Sequence, residues 1–555
     1  MIQFDHFYSY EEIGAVAREL ADTYPALCRA GSIGRTAQGR DLHLLTVTEF
    51  DSGDPSERPS FLIHGGIHAH EPASTHGPLY TAHRLLADHE RGGLLSRVVL
   101  YLVPRLCPDA SEFCVATTAR IRSRTDFVNR APNTVYAGDI DGDGLILTIR
   151  QEHPDGTCVC DPEEPRLLVD RRPDSPGPWY RVFPEGMVND WDGTDDIRIG
   201  GLHSFYPGAP ELHAGRSFDF NRNWSHDWRH EGEQQGAGDY PFSEPEMRSL
   251  AEFIFKQPKL CGILGYHCGS ASVIRPPAWG LRADLDAGDD ALLEELAQEG
   301  AAAIDSPAVA LSDPTGPGCR SGGRRGHALG FAYDQLGIPG FDVELGTIVN
   351  AAGVSAHEWH ERSRDRDEID GMYRQLLRWW DGDGRRHPLF EPWRRFDHPQ
   401  LGPVELGGLL FTAIDNPLVP TLTPMVDGAY RFTRSFAERH PRVGAEEVEV
   451  TPVGGDVYRI RARIANRGRL PTNITNQGLG LPRLQPVRAS LMPAAGVELL
   501  SARGHLDLGH LRALTGSRIV EWFVRAPGAE PGAEIGVIRV LGGTGGDGRV
   551  VLRCP

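Results

Sequence analysis

Short apolar runs, each bounded by Gly or Pro and separated by helical patterns, set the strongest limit on this fold. "LHLLTVTEF" (42–50), "PSFLIHGG" (59–66) and "RVVLYLVPRLCP" (97–108) are of strand length, and "LYTAHRLLADH" (79–89) between the last two carries helical spacing. Strand, helix and strand joined by short turns is the signature of a mainly parallel sheet covered by helices. "CGILGYHCGS" (261–270) and "GFDVELG" (340–346) read as further strands. "YEEIGAVARELADTY" (10–24), "SEPEMRSLAEFIF" (243–255) and "DEIDGMYRQLLRWWD" (367–381) read as helices, the second opened by Ser243 and Glu246 at capping-box spacing. The expected class is α/β: a mixed, mainly parallel twisted sheet with helices on both faces.

A chain of 555 residues needs more than one core. The expected division is a main α/β domain over 1–385, a helical and strand extension over 386–444 packed on it, and a small all-β sandwich over 445–555. The sandwich follows from the alternation in "EEVEVTPVGGDVYRIRARIANRG". Residues from about 126 to 215 are rich in Asp, Gly, Pro and Arg and read as an insertion of elaborated loops. Inside it, "DIDGDGL" (139–145) alternates Asp139, Asp141 and Asp143 before Gly144, like the front of a calcium loop. Arg150 stands where the bidentate acid belongs, so a surface acidic turn competes with a Ca²⁺ site.

The net charge of −19 argues against nucleic acid or an anionic membrane as partner. No stretch approaches the ~18 apolar residues of a membrane span. The nine cysteines are odd in number and scattered, which fits reduced thiols in a cytoplasm. The first residues, MIQFDHFYSYEEIG, lack the features of a leader peptide, so the sequence as it stands reads as cytoplasmic, or as secreted if a leader was removed.

"FLIHGGIHAHEP" (61–72) crowds His64, His68, His70 and Glu71 at the exit of a buried strand. His68 and Glu71, three apart where a strand turns into a helix, can aim at one point. A hydrolytic zinc takes three protein ligands and keeps a fourth position open. A second His-x-x-Glu, at His230 and Glu233, lies in a Gly/Gln-rich loop and carries no role.

"GGIHAHE", "SFDFNRNW" (217–224), "GDYPFSEPE" (238–246), "GYHCGS" and "FDVELG" occur in the order seen in zinc carboxypeptidases of the A/B type, which this chain resembles from about residue 8 to 385. The resemblance implies one Zn²⁺ per chain held by His68, Glu71 and His267, with Asp219 orienting an imidazole from behind. It implies Glu344 as general base, Arg122 as oxyanion partner, and Asn221 and Arg222 as the pair that binds a terminal carboxylate. Arg124 and Arg120 are the alternatives to Arg122. The partner it implies is a peptide with a free C-terminus. Counting back from Glu344 places Leu329 at the base of the side-chain pocket, which favours apolar or aromatic C-terminal residues; nearby Arg324 and Arg325 favour acidic ones. Two departures stand out. "CRSGGRRGHALG" (319–330) occupies the place of the family's mobile tyrosine, and Cys268 and Gly269 follow the third ligand. A zinc amidase, deacylase or cell-wall peptide hydrolase of the same fold, and an inactive binding protein, are the competing readings.

Overall fold

A computed structural model describes residues 4–125, 131–200, 217–269, 271–313, 323–362 and 365–555. Its main sheet contains β1 (Cys28–Arg35), β2 (Asp41–Val47), β3 (Ser60–His64), β4 (Val99–Val103), β5 (Leu260–His267), β6 (Val273–Arg275), β7 (Ala308–Ala310) and β8 (Gly340–Glu344). The strand order is β1-β2-β4-β3-β5-β8-β6-β7. Pairings β4/β3, β3/β5, β5/β8 and β6/β7 are parallel, and β1/β2, β2/β4 and β8/β6 are antiparallel. The sheet is therefore mixed with a parallel centre, as the strand and helix alternation predicts.

Period-two alternation decides what each face of this centre carries. Register sets Phe61 opposite Gly262, and Leu264 opposite both Ile63 and Phe341. On that face Phe436 lies 5.1 Å from Phe61 and 5.6 Å from Phe341. Phe436 belongs to the helix Leu422–Glu438, which packs against the helices His76–Ala87 and Ala287–Ile304. Gly262 is required there, because a Cβ would sit 2.4 Å from the Phe436 ring. The other face carries His64, Gly265, His267, Asp342 and Glu344, all at or near the carboxyl ends of adjacent parallel strands. Phe436 is fully buried, so Phe436→Ala is expected to cost about 3–5 kcal/mol of stability. A lowered urea midpoint checks this, and an unchanged midpoint would mean that the extension is not part of the main core.

Residues 131–200 contain more regular structure than their composition suggests. Strands Thr148–Glu152, Cys158–Cys160, Leu168–Asp170 and Tyr180–Pro184 join Phe390–His398 and Gly402–Leu409 in one six-stranded sheet. The insertion and the extension thus build a single second layer. The helix Arg366–Trp379 packs on it through Leu376 and Leu377, with Trp380 just beyond its end, against Leu389 and Phe390. The helix expected from Ser243 starts at Pro245, with Glu244 as its cap residue and no side-chain cap bond. Ser243 instead holds Asn223 at 3.0 Å, and Glu246 accepts the Ala37 amide at 3.1 Å.

Two four-stranded antiparallel sheets, beginning at Val443, form the C-terminal sandwich around buried Trp522, Ile460, Val520 and Ile538. Arg483 donates to the carbonyls of Leu336, Gln257 and Leu260, and Lys259 pairs with Asp547 at 2.8 Å. These contacts lie at the start of β5. His267 stands at the opposite end of that strand, about 23 Å away at the rise of a strand, so the sandwich is docked far from it. Among the described residues no helix is long and apolar enough to cross a membrane.

Candidate metal centre and cleft

β3 ends at His64, and the turn that follows brings His68 and Glu71 over the carboxyl end of β5, where His267 emerges. His68 Nδ1 lies 2.8 Å from Glu71 Oε1 and 3.2 Å from His267 Nδ1, and His267 Nδ1 lies 3.3 Å from Glu71 Oε2. Ligands about 2.0–2.1 Å from a tetrahedral zinc are separated by about 3.3 Å, so the three residues outline one face of such a site. His68, Glu71 and His267 are all buried and could hold a metal ion. Burial alone would raise the Glu71 carboxyl, but His68 and His267 hold it well below the usual range. Burial would lower His267, but Asp342 and Glu71 lift it to about 9. An ion in the centre would replace that proton.

The surroundings fix each donor. His68 Nε2 meets Asp219 Oδ1 at 3.2 Å. Asp219 caps the short turn Phe220–Arg222 by accepting the Asn221 amide at 2.8 Å. Arg122 donates Nε to Asp219 and Nη1 to Glu71, each at 3.0 Å. Its Nη2 makes no hydrogen bond among the described residues and is left for the cleft. Arg120 pairs with Asp415 at 2.5 Å and Arg124 with Glu244 at 2.5 Å, so neither alternative approaches the metal ligands as Arg122 does. The Cys268 amide donates to Glu71 Oε2 at 3.1 Å, a contribution of main chain rather than thiol. His70 is not one of the three donors; its Nδ1 faces the Ile121 carbonyl at 2.9 Å, its Nε2 lies 3.7 Å from Glu71 Oε1, and burial lowers it to about 4.

These groups open into a cleft of about 320 Å³ that Asn221, Arg222, Glu344 and Thr347 also line. Glu344 is the register partner of His267, which places both side chains on the same face. Arg222 donates Nη1 to the Asn221 carbonyl at 2.7 Å, and burial lowers its guanidinium to about 10, which leaves it charged at neutral pH. Asn221 Oδ1 accepts the Ala328 amide at 3.0 Å, which turns its NH₂ group to other partners. The opposite wall comes from the second layer: Trp359, Arg366, Ile369 and Tyr373. No motif in the sequence announced this wall.

Two expectations need correction. Leu329 does not line the cleft; it is 1 % exposed and packs with Ile274, Ala278 and Leu311. The count back from Glu344 reaches a residue on an inward-facing helical turn, and Ile274, Leu311 and Arg324 line the cleft instead. Arg325 is engaged elsewhere, with Asp227 at 2.5 Å and Trp279 at 3.7 Å. The calcium reading of Asp139, Asp141 and Asp143 also fails. Asp139 accepts the amides of Gly142 and Gly144, and Arg394 pairs with both Asp141 and Asp143. Glu185, not Asp143, is the acid that approaches Asp139 and Asp141, and it is occupied by the Ile140 and Leu147 amides at 2.9 Å each. This is a turn satisfied by its own amides and by an arginine. In the segment expected to hold a mobile tyrosine, residues 319–322 lie outside the described residues. Tyr333 is buried with its hydroxyl on Asp289 at 2.9 Å.

The family described as zinc carboxypeptidase matches residues 13–143 and 205–356, and a family described as a domain of unknown function matches residues 442–544. Human carboxypeptidase D is 33% identical over 135 residues, which are 20% of this chain and 10% of that protein. An inactive metallocarboxypeptidase of Ajellomyces dermatitidis is 30% identical over 112 residues, 20% of this chain and 19% of its own length. The chain thus spans a small part of the curated relatives it matches. Carboxypeptidase A from Helicoverpa armigera superposes with a TM-score of 0.40 at 16% identity, covering 69% of this chain and 76% of that one.

Proposed function

This chain belongs to the zinc carboxypeptidase family, and on that premise we propose that it is an active metallocarboxypeptidase that removes the C-terminal residue of peptides. The observation that carries the reading is the convergence of His68, Glu71 and His267 in one cleft with Glu344 and Arg222. Retention of all three donors together with a carboxylate beside them favours hydrolysis over an inactive scaffold.

Zinc bound by the three donors would supply Lewis-acid activation of a water and of the scissile carbonyl. The chain supplies the rest. Arg222 and the Asn221 side-chain amide hold the terminal carboxylate of the peptide, the guanidinium through a charge-assisted pair. The terminal side chain meets Ile274, Leu311 and Arg324. Glu344 accepts the proton of the attacking water and returns it to the leaving amine. Arg122 offers Nη2 to the oxygen on which negative charge develops, and its other two bonds hold it to Asp219 and Glu71 in advance.

Mass-spectrometric profiling of a peptide library tests the proposal. The expected products lack single C-terminal residues, a chelator abolishes their formation, and added Zn²⁺ restores it. Internal cleavage, or equal cleavage of C-terminally amidated peptides, would sink it in favour of an endopeptidase or amidase.

A further inference from the structure

Both histidines of the centre present Nδ1 to its middle, so each has Nε2 directed outward. Behind His68 stands Asp219, at 3.2 Å. For His267 no such partner is assigned from the sequence. In the structure His267 Nε2 is buried and without a hydrogen bond, and the carboxylate facing it is Asp342, with Oδ1 at 3.6 Å. We propose that Asp342 is a positioning residue for the metal centre: it holds the Nε2–H of His267 when the ion is bound, as Asp219 holds that of His68, and connects His267 through His327 to the loop beneath Asn221. This rests on the reading that His68, Glu71 and His267 bind the zinc.

Three observations place Asp342 in that role. The first is register. Asp342 pairs with Gly265 on the face that carries His267 and Glu344, so strand alternation sends its side chain under the metal centre and not into the phenylalanine core. The second is space. A Cβ at Gly265 would lie 2.8 Å from Asp342 Oδ1 and 2.8 Å from His64 Cε1, so glycine leaves the pocket that the carboxylate fills. The third is hydrogen-bond direction. His327 Nδ1 accepts the Leu329 amide at 3.2 Å, so the neutral ring carries its proton on Nε2, and Nε2 faces Asp342 Oδ2 at 3.6 Å. Asp342 is 3 % exposed and lines the inner end of the cleft, so its two oxygens see little water. A buried carboxylate left without donors is costly. The imidazole Nε2 atoms of His267 and His327 stand 3.6 Å away on its two sides and are the donors that answer that cost when the ion is bound.

The connection has a consequence for the other end of the cleft. Ala328, next to His327, donates to Asn221 Oδ1, and Asn221 in turn donates its backbone amide to Asp219. His68, Asp219, Asn221, the 327–328 segment, Asp342 and His267 therefore form a ring of contacts around the centre. The carboxylate-binding residue and both histidines share one framework.

The test is zinc affinity, measured on the full chain by competition with a chromophoric chelator. Loss of an outer carboxylate typically lowers metal affinity by roughly 10–100-fold. Asp342→Asn, and Asp342→Thr as a smaller uncharged replacement suited to a strand, are both expected to fall in that range while the metal-free thermal midpoint stays near that of the wild type. Wild-type affinity in either folded variant overturns the proposal. A second reading needs no variant. In histidine-labelled, zinc-loaded wild-type protein, the Nε2–H of His267 is expected as a low-field, slowly exchanging resonance; its absence also overturns the proposal. If the wild type itself bound no zinc, the assignment of the metal ligands would fail instead, so the two failures are distinguishable.

Discussion

Glu344→Gln is expected to lower kcat/KM on peptide substrates by about 10²–10⁴-fold, the usual range for a lost general base, with one zinc still bound per chain. The substitution keeps the size of the side chain and its place at the end of β8, and removes only the ability to take a proton. Glu344 is not among the three residues that outline the metal site, so the ion stays. The fall should appear in kcat with little change in KM, because a group that acts on the water contributes to the transition state more than to substrate binding. Metal analysis beside steady-state kinetics separates this from a structural effect: loss of zinc would mean that Glu344 supports the ligands. Equal hydrolysis by wild type and variant would show that it is not the base. The result also decides between an enzyme and a scaffold, since a scaffold has no rate to lose.

The parts of this site that the sequence revealed share a cause. His68 and Glu71 lie on one turn, and His267 and Glu344 end strands whose apolar residues make them visible. Strand exits of a parallel sheet meet at one edge, so their chemistry converges once the sheet forms. What the sequence hid depends on long-range placement. Strands Cys158–Cys160 and Leu168–Asp170 are three residues each, too short for a periodic signal, and they complete a sheet two of whose members lie more than two hundred positions onward. The cleft wall bearing Trp359 and Tyr373 rests on that sheet and was therefore hidden as well. Asp342 had a signal that could have been used. In "FDVEL" it alternates in step with Glu344, and the same alternation aims both carboxylates at the cleft, Asp342 two residues deeper along the strand. Leu329 failed for the opposite reason: counting along the chain assumes a straight path, and a helical turn rotated that position into the core. The calcium loop failed because Arg394, which pairs with it, lies some 250 residues away.

Arg222→Ala is expected to reduce kcat/KM on peptides with a free C-terminus by roughly 10²-fold, carried mainly by KM. A charge-assisted hydrogen bond contributes about 1.5–3 kcal/mol, and the upper part of that range applies when the partner carboxylate is left buried without a cation. Arg222 is 9 % exposed and Asn221 2 %, so a substrate carboxylate at this end of the cleft would lose most of its water. Asn221 alone offers a neutral donor and cannot replace the charge. The metal centre should survive, because Asp219 keeps Arg122 and His68 as partners when Arg222 is removed. Amidated peptides supply the control. They carry no terminal charge, so the wild type should process them poorly and the variant should lose nothing further. A variant as active as the wild type on free peptides would remove the ground for exopeptidase action, while leaving the zinc and Glu344 in place for a hydrolase that recognises its substrate by other contacts. Arg222 therefore separates carboxypeptidase from amidase within one fold, and a single pair of substrates that differ only at the terminal group reads the difference.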